Sequence, residues 1–128
     1  MAQILVVARE WTPRVLIRAQ LEEEGHEVTG CLTASEALLR LRARQHQFDA
    51  IILDTMGQEL TSPAISRLVK AGPPVLVVTG PYDSAAIDLT SLGARHALTR
   101  PVFVGDVVAA VRQLLVCDGG PSNRASGQ

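Results

Sequence analysis

Short, almost uninterrupted apolar runs alternate along this chain with stretches whose apolar residues recur every three or four positions. Gln3–Ala8 (QILVVA), Ala50–Asp54 (AIILD) and Val75–Thr79 (VLVVT) are rich in β-branched and aliphatic residues with no polar alternation. That is the pattern of strands covered on both faces. His26–Cys31 and His96–Thr99 are weaker runs and read as strands nearer the sheet edges. Between them lie helical patterns with start signals. Thr12-Pro13 places a hydroxyl ahead of a proline at the expected first helical position, Pro13, Leu16, Ile17 and Leu21 form one stripe, and Gly25 stops it. Thr33-Ala34-Ser35-Glu36 has the form of a capping box, followed by Ala37, Leu38 and Leu41 on one face. Ser62-Pro63 opens a third helix, a fourth is expected over Ser84–Leu92 before Gly93, and a fifth over Val104–Leu115. Strict alternation of strand and helix with buried-type strands predicts an α/β, doubly wound, five-stranded parallel sheet with five helices on its two faces.

Composition narrows the class. The chain has 128 residues, 47% of them hydrophobic, 20% charged and 3% aromatic, which suits one globular domain with an aliphatic core. A net charge of -1 supplies no field that would draw nucleic acid or an anionic membrane. Cys31 and Cys117 are far apart and match no metal-ligand spacing. The apolar run after Met1 is too short for a signal segment or a membrane span, so a cytoplasmic location is expected. No Gly-rich phosphate loop and no nucleophile–base constellation is present, so substrate turnover is not expected. The domain is expected to span residues 1–117; Asp118–Gln128, polar and Gly/Ser-rich, reads as a flexible tail or the start of a linker.

In doubly wound sheets the working groups sit beyond the carboxyl ends of the strands. Those ends carry Ala8-Arg9-Glu10, Asp54, Thr79-Gly80 and Thr99-Arg100-Pro101. Ile4-Leu5-Val6-Val7, Ile51-Ile52-Leu53-Asp54, Thr79-Gly80 and Arg100-Pro101 follow one another in the order and at the spacings of the receiver domains of bacterial response regulators. The chain resembles that family from about Gln3 to Leu115. The resemblance implies a flavodoxin-like fold with strand order 2-1-3-4-5 and places Asp54 at the phosphate-accepting position. Thr79 falls at the family's strand-four hydroxyl, Gly80 at its small neighbour, and Arg100-Pro101 at its lysine-proline pair. Met56 would line the same site.

The departures carry as much information. Where the family has an acidic pair that holds Mg²⁺ with the acceptor aspartate, this chain has Ala8 and Arg9. Mg²⁺ takes near-octahedral oxygen ligands, usually with carboxylates among them. A guanidinium within roughly 5 Å of a divalent ion opposes it by a few kcal/mol even at an effective dielectric of about 20. Weak or absent Mg²⁺ binding and no other cofactor are therefore expected, although Glu10 still offers a carboxylate. Two arrangements follow. In the favoured one Arg9 pairs directly with Asp54 in the metal's place; in the other Arg9 and Arg100 together receive a phosphate or another anion. Ala97 stands where many receivers have a switching aromatic ring, and Gln58 where a proline is common.

These features imply an atypical receiver, or pseudoreceiver: a two-component or phosphorelay module that acts by protein interaction without Mg²⁺-dependent phosphorylation of Asp54. The alternative is a phosphate-accepting switch in which Arg9 and Arg100 replace the metal. The resemblance also implies a partner face made by the fourth helix, fifth strand and fifth helix. Phe103, Ala109, Ala110 and Arg112 are the expected contact residues there, because the fifth helix carries apolar residues beyond its buried stripe. Its occupant would be a second copy, a sensor kinase or a C-terminal output domain.

Overall fold

The computed structural model describes residues 2–43, 48–56, 62–80, 93–100 and 103–119. Five strands and four helices lie among them: β1 (Gln3–Ala8), α1 (Trp11–Glu23), β2 (Glu27–Cys31), α2 (Ala34–Ala43), β3 (Ala50–Asp54), α3 (Ser62–Lys70), β4 (Val75–Thr79), β5 (His96–Thr99) and α4 (Val104–Gly119). The helix expected over Ser84–Leu92 lies outside the described residues, and α4 is the predicted fifth helix. All strand pairings are parallel and the order is β2-β1-β3-β4-β5, as expected.

The uninterrupted apolar runs are explained by two cores, one on each side of the sheet. Ile4, Val6, Ile52, Leu76 and Val78 face α1 and α4, and meet Ile17, Leu21, Val107 and Val111. Leu5, Val7, Ile51, Leu53, Val75 and Val77 face the opposite way onto α2 and α3, and meet Ala37, Leu41, Ile65 and Leu68. Alternate residues of one strand therefore serve different cores, so neither side of β1, β3 or β4 can be polar.

Local signals fare unequally. The capping box of α2 forms: Glu36 N–H donates to Thr33 Oγ1 at 3.1 Å, and the Glu36 carboxylate accepts from Leu32 N–H at 2.9 Å. Gly25 ends α1 with φ of 94°, a left-handed conformation that costs glycine little, and His26 N–H returns to Leu21 O at 3.1 Å. The expected start of α1 is corrected. The helix begins at Trp11 with Glu10 as N-cap and no side-chain cap bond, so Thr12-Pro13 lies inside the first turn. Pro13 is tolerated there because first-turn N–H groups have no intrahelical acceptor. The end of α4 is corrected as well, since the helix runs through Asp118 to Gly119 and takes in the first residues of the expected tail. His26 is half-buried and its Nδ1 accepts from Ala2 N–H at 3.1 Å. Trp11, the first residue of α1, is 67% exposed.

Candidate functional site

Register alone brings the candidate residues together. Asp54, the last residue of β3, lies directly opposite Ala8 on β1 and Val78 on β4. One step further along β4, Thr79 is opposite Thr99 on β5, and the next residue after β5 is Arg100. The Arg100 backbone N–H donates to Thr79 O at 2.6 Å, continuing the ladder past the strand end. That bond holds the arginine over the end of β4, within reach of β3.

The guanidinium of Arg100 crosses β4 to Asp54: Nη1 donates to Asp54 Oδ1 at 2.9 Å. The same Nη1 lies 3.3 Å from Val78 O, and Nη2 lies 3.5 Å from Thr55 Oγ1. Asp54 Oδ1 also accepts the Met56 N–H at 2.8 Å, a two-residue turn closed by the aspartate's own side chain. The side chains of Asp54 and Arg100 are 3% and 19% exposed, so this pair is shielded from solvent. Its geometry is that of a short charge-assisted bond.

Arg9 behaves otherwise. It follows β1 and is exposed, and among the described residues no ion pair joins it to Asp54. The favoured expectation of an Arg9–Asp54 pair is thus corrected to an Arg100–Asp54 pair. Arg9 lies past the strand end, where the turn into α1 carries its side chain outward. Glu10 is also exposed. An arginine the sequence reading passed over closes this turn: Arg14 Nη1, from α1, donates to Ala8 O at 2.9 Å and to Arg9 O at 3.3 Å. Its stem runs beside Gly30 of β2, where an added Cβ would come within 3.5 Å of Arg14 Cδ. The sequence signal was a lone cation one turn into the first helix, next to its apolar stripe.

Thr79 and Gly80 are buried, and Met56 is exposed at the mouth of the site. Pro101 and Gln58 lie outside the described residues. A cavity of about 230 Å³ opens beside the pair, walled by Leu16 and Ile17 of α1 and by Val104 and Val107 of α4.

The residues at this site do not fit a divalent metal. Among the described residues that line the site Asp54 is the one carboxylate, its Oδ1 is engaged by a guanidinium and a backbone N–H, and the neighbouring strand offers Ala8 in place of an acid. Among the described residues no three His, Cys, Asp or Glu side chains gather where they could hold an ion. A short arginine–carboxylate bond in this position supplies locally the positive charge an ion would bring.

On the expected partner face, Phe103 is 83% exposed, Ala109 and Arg112 are exposed, and Ala97 of β5 points outward. Ala110 is corrected: at 5% exposure it packs into the core between α4 and the sheet, as does Leu114. The buried stripe of α4 thus takes in Val107, Val108, Ala110, Val111 and Leu114. Arg112 pairs with Glu24 at the end of α1, pinning α4 to α1 at the surface. At the start of α4, Phe103 N–H donates to Asp106 Oδ2 at 3.0 Å, which caps the helix entrance. No helix among the described residues is long and apolar enough to cross a membrane.

Comparison with known proteins agrees with this architecture. No protein-family model matches the chain. The phosphate regulon transcriptional regulatory protein PhoB of Rhizobium meliloti is 29% identical over 119 residues, covering 88% of this chain and 52% of PhoB. The chain thus spans about half the length of that curated relative. Among solved structures, a response regulator receiver domain protein from Clostridium thermocellum superposes with a TM-score of 0.82 at 25% identity, covering 93% of this chain and 98% of that one. The receiver domain of NtrX from Brucella abortus gives 0.75 at 25% identity, over 88% and 97% of the two chains. The chemotaxis protein CheY4 of Vibrio cholerae gives 0.73 at 23% identity over 90% and 99%, a likeness of fold alone. The resemblance carried by the strand-end motifs is borne out: the neighbours are response-regulator receiver domains.

Proposed function

We infer that this receiver-type domain serves two-component signalling as a protein-interaction module, with the acceptor position Asp54 held by Arg100 in place of a Mg²⁺-dependent phosphorylation cycle. The observation that carries this reading is the 2.9 Å Arg100–Asp54 bond, buried beside Ala8 at the strand ends. Phosphoryl transfer to a carboxylate needs positive charge around the transferring group and an open nucleophilic oxygen. Here the nearest cation is spent on the carboxylate itself, and the neighbouring strand supplies no acid with which to bind an ion.

The module would act in the cytoplasm without turning over a substrate. Its response would come from partner binding that favours one arrangement of the Asp54–Arg100 pair over another. The face carrying Ala97, Phe103, Ala109 and Arg112 is the surface we assign to that partner, which would be a second copy, a sensor kinase or a C-terminal output domain. PhoB, about half of which this chain spans, is a transcriptional regulator, in keeping with an output partner.

The test is intact-protein mass spectrometry after exposure to a small acyl or amido phosphodonor, with and without Mg²⁺, using Asp54→Asn as control. Absence of added mass under both conditions is the expected result. A phosphoryl adduct that disappears in the Asn variant would overturn the reading and establish the alternative, a phosphate-accepting switch in which arginine takes the metal's part.

A further inference from the structure

The end of the molecule opposite Asp54 carries a second constellation, independent of the site above. In a parallel sheet each helix returns toward the amino ends of the strands, so the last turns of α2 and α3 lie side by side there. Those turns hold Arg40 and Arg42 on α2, and Arg67 and Lys70 on α3. Arg42, Arg67 and Lys70 converge on one groove of about 420 Å³ whose floor is Leu38, Leu41 and Ala71. Among the described residues no carboxylate lines it.

Two features set this cluster apart. Elsewhere Arg18, Arg100 and Arg112 each pair with a carboxylate, whereas Arg42, Arg67 and Lys70 make no ion pair or side-chain hydrogen bond among the described residues. Cations do offset the negative end of a helix dipole. That effect acts on each helix by itself and does not call for three cations from two helices around an apolar floor. The excess positive charge also sits on a chain whose net charge is -1.

We propose that this groove between the ends of α2 and α3 docks an acidic peptide segment of a partner protein, with an apolar side chain on the Leu38–Leu41–Ala71 floor and carboxylates on Arg42, Arg67 and Lys70. The apolar floor decides among anionic occupants. A nucleic-acid backbone would leave it idle, and three cations fall short of the roughly 6–10 phosphate contacts typical of duplex binding. A lipid surface calls for apolar residues that project outward, and these line a concavity. A peptide with alternating carboxylate and leucine character uses both features, the charges steering approach and the floor anchoring it.

The experiment uses the full chain and a fluorescent peptide of repeated Glu-Glu-Leu units, read by fluorescence anisotropy, with Gln-Gln-Leu and Glu-Glu-Gly peptides as comparators. Saturable binding of the first peptide alone, weakened by added salt, is expected. Arg67→Glu and Lys70→Glu should each weaken it about tenfold, as loss and reversal of a directly opposed charge does. Arg18→Glu on α1 should leave it unchanged. All these side chains are exposed, and circular dichroism of each variant checks that the fold is intact. Equal binding of the Glu-Glu-Gly peptide, indifference to charge reversal or no binding at all would overturn the proposal. So would preferential, Arg67-dependent binding of duplex DNA or of phosphatidylserine vesicles. Arg67-dependent self-association in sedimentation would assign the groove to the Glu22–Glu24 segment of a second copy instead, and would equally overturn it.

Discussion

Replacing Arg100 by Met keeps the length and packing of the side-chain stem and removes the guanidinium. Asp54, 3% exposed, would then keep its Met56 N–H bond and lose the charged partner at 2.9 Å. Breaking a buried ion pair from one side typically costs about 3–5 kcal/mol, because the remaining charge is left desolvated. Two features of the site hold the value to the lower end. The Val78 carbonyl still accepts from Thr55 N–H at 3.0 Å, so losing the arginine does not orphan it. Asp54 can also escape by taking up a proton. With an ordinary carboxyl titrating near 3.9, that route costs about 4 kcal/mol at pH 7 and about 1.5 kcal/mol at pH 5. The penalty for Arg100→Met should therefore be about 3 kcal/mol at pH 7 and no more than about 1.5 kcal/mol at pH 5. The sign follows from linkage: the variant's folded state holds a proton that the unfolded chain releases, so its relative stability is greater in acid and is lost as pH rises. Urea unfolding of both proteins at the two pH values measures this, and Arg100→Met combined with Asp54→Asn should recover most of the loss at pH 7. A penalty below about 1 kcal/mol at pH 7, or one unchanged at pH 5, would refute the pairing as the force that holds this site.

Three further outcomes follow from local geometry. Gly93 and Gly25 share a φ of 94°, but a Cβ on Gly93 would lie 2.9 Å from Val69 Cγ1 while one on Gly25 meets nothing within 4 Å. Chemical denaturation should show Gly25→Ala costing about 1 kcal/mol for the left-handed conformation, and Gly93→Ala costing at least about 1 kcal/mol more for the clash. Thr33→Ala removes the hydroxyl that caps Glu36 N–H and should lower stability by about 1 kcal/mol, read as a fall in thermal midpoint. Burial pushes the Cys31 thiol up from 9.0 to about 11, with nearby Arg40 opposing and Glu36 adding to the rise. In a Cys117→Ser background Cys31 should react with a thiol reagent far more slowly than the unfolded chain at pH 8. Its contribution to stability should be intact below pH 9 and lost as pH climbs toward 11.

The bounds of β1, β3 and β4 could be read from sequence because burial on both faces leaves an unbroken aliphatic run, and α2 because its capping box stands directly before a periodic stripe. The start of α1 misled for a physical reason. Thr-Pro is a good helix opening, but proline is equally content deeper in the first turn, and the helix begins at Trp11 with an uncapped Glu10. The burial of Ala110 was available in principle, since it lies three residues after Val107 and four before Leu114, both buried. It was overlooked because small apolar residues carry little periodic signal. The partner of Asp54 is different in kind. Arg9 is adjacent through the neighbouring strand, and Arg100 lies two strands away; which of them reaches in depends on where each chain leaves the sheet. Arg100 is held by the ladder bond to Thr79 O, while Arg9 has turned outward into α1. Neither the local pattern nor the spacing encodes that choice.

Charge balance ties these departures together. The family site resembled here gathers several carboxylates and needs a divalent ion to neutralise them. In this chain Ala8 removes one of those charges and Arg9 replaces another, leaving Asp54 as the carboxylate that the cation of Arg100 meets at the strand ends. An added Mg²⁺ would meet the Arg100 guanidinium already bound to Asp54, where the ordinary site offers the ion further carboxylates. The loss of the acidic pair and the capture of Asp54 by arginine are therefore one change seen twice. Restoring the pair by Ala8→Asp and Arg9→Asp reverses both. The doubly substituted chain should be destabilised without metal and gain stability on Mg²⁺ titration, whereas the parent chain should show no shift in its unfolding midpoint. A Mg²⁺-dependent shift in the parent of the same size as in the substituted chain would show that Arg100 does not stand in for the ion.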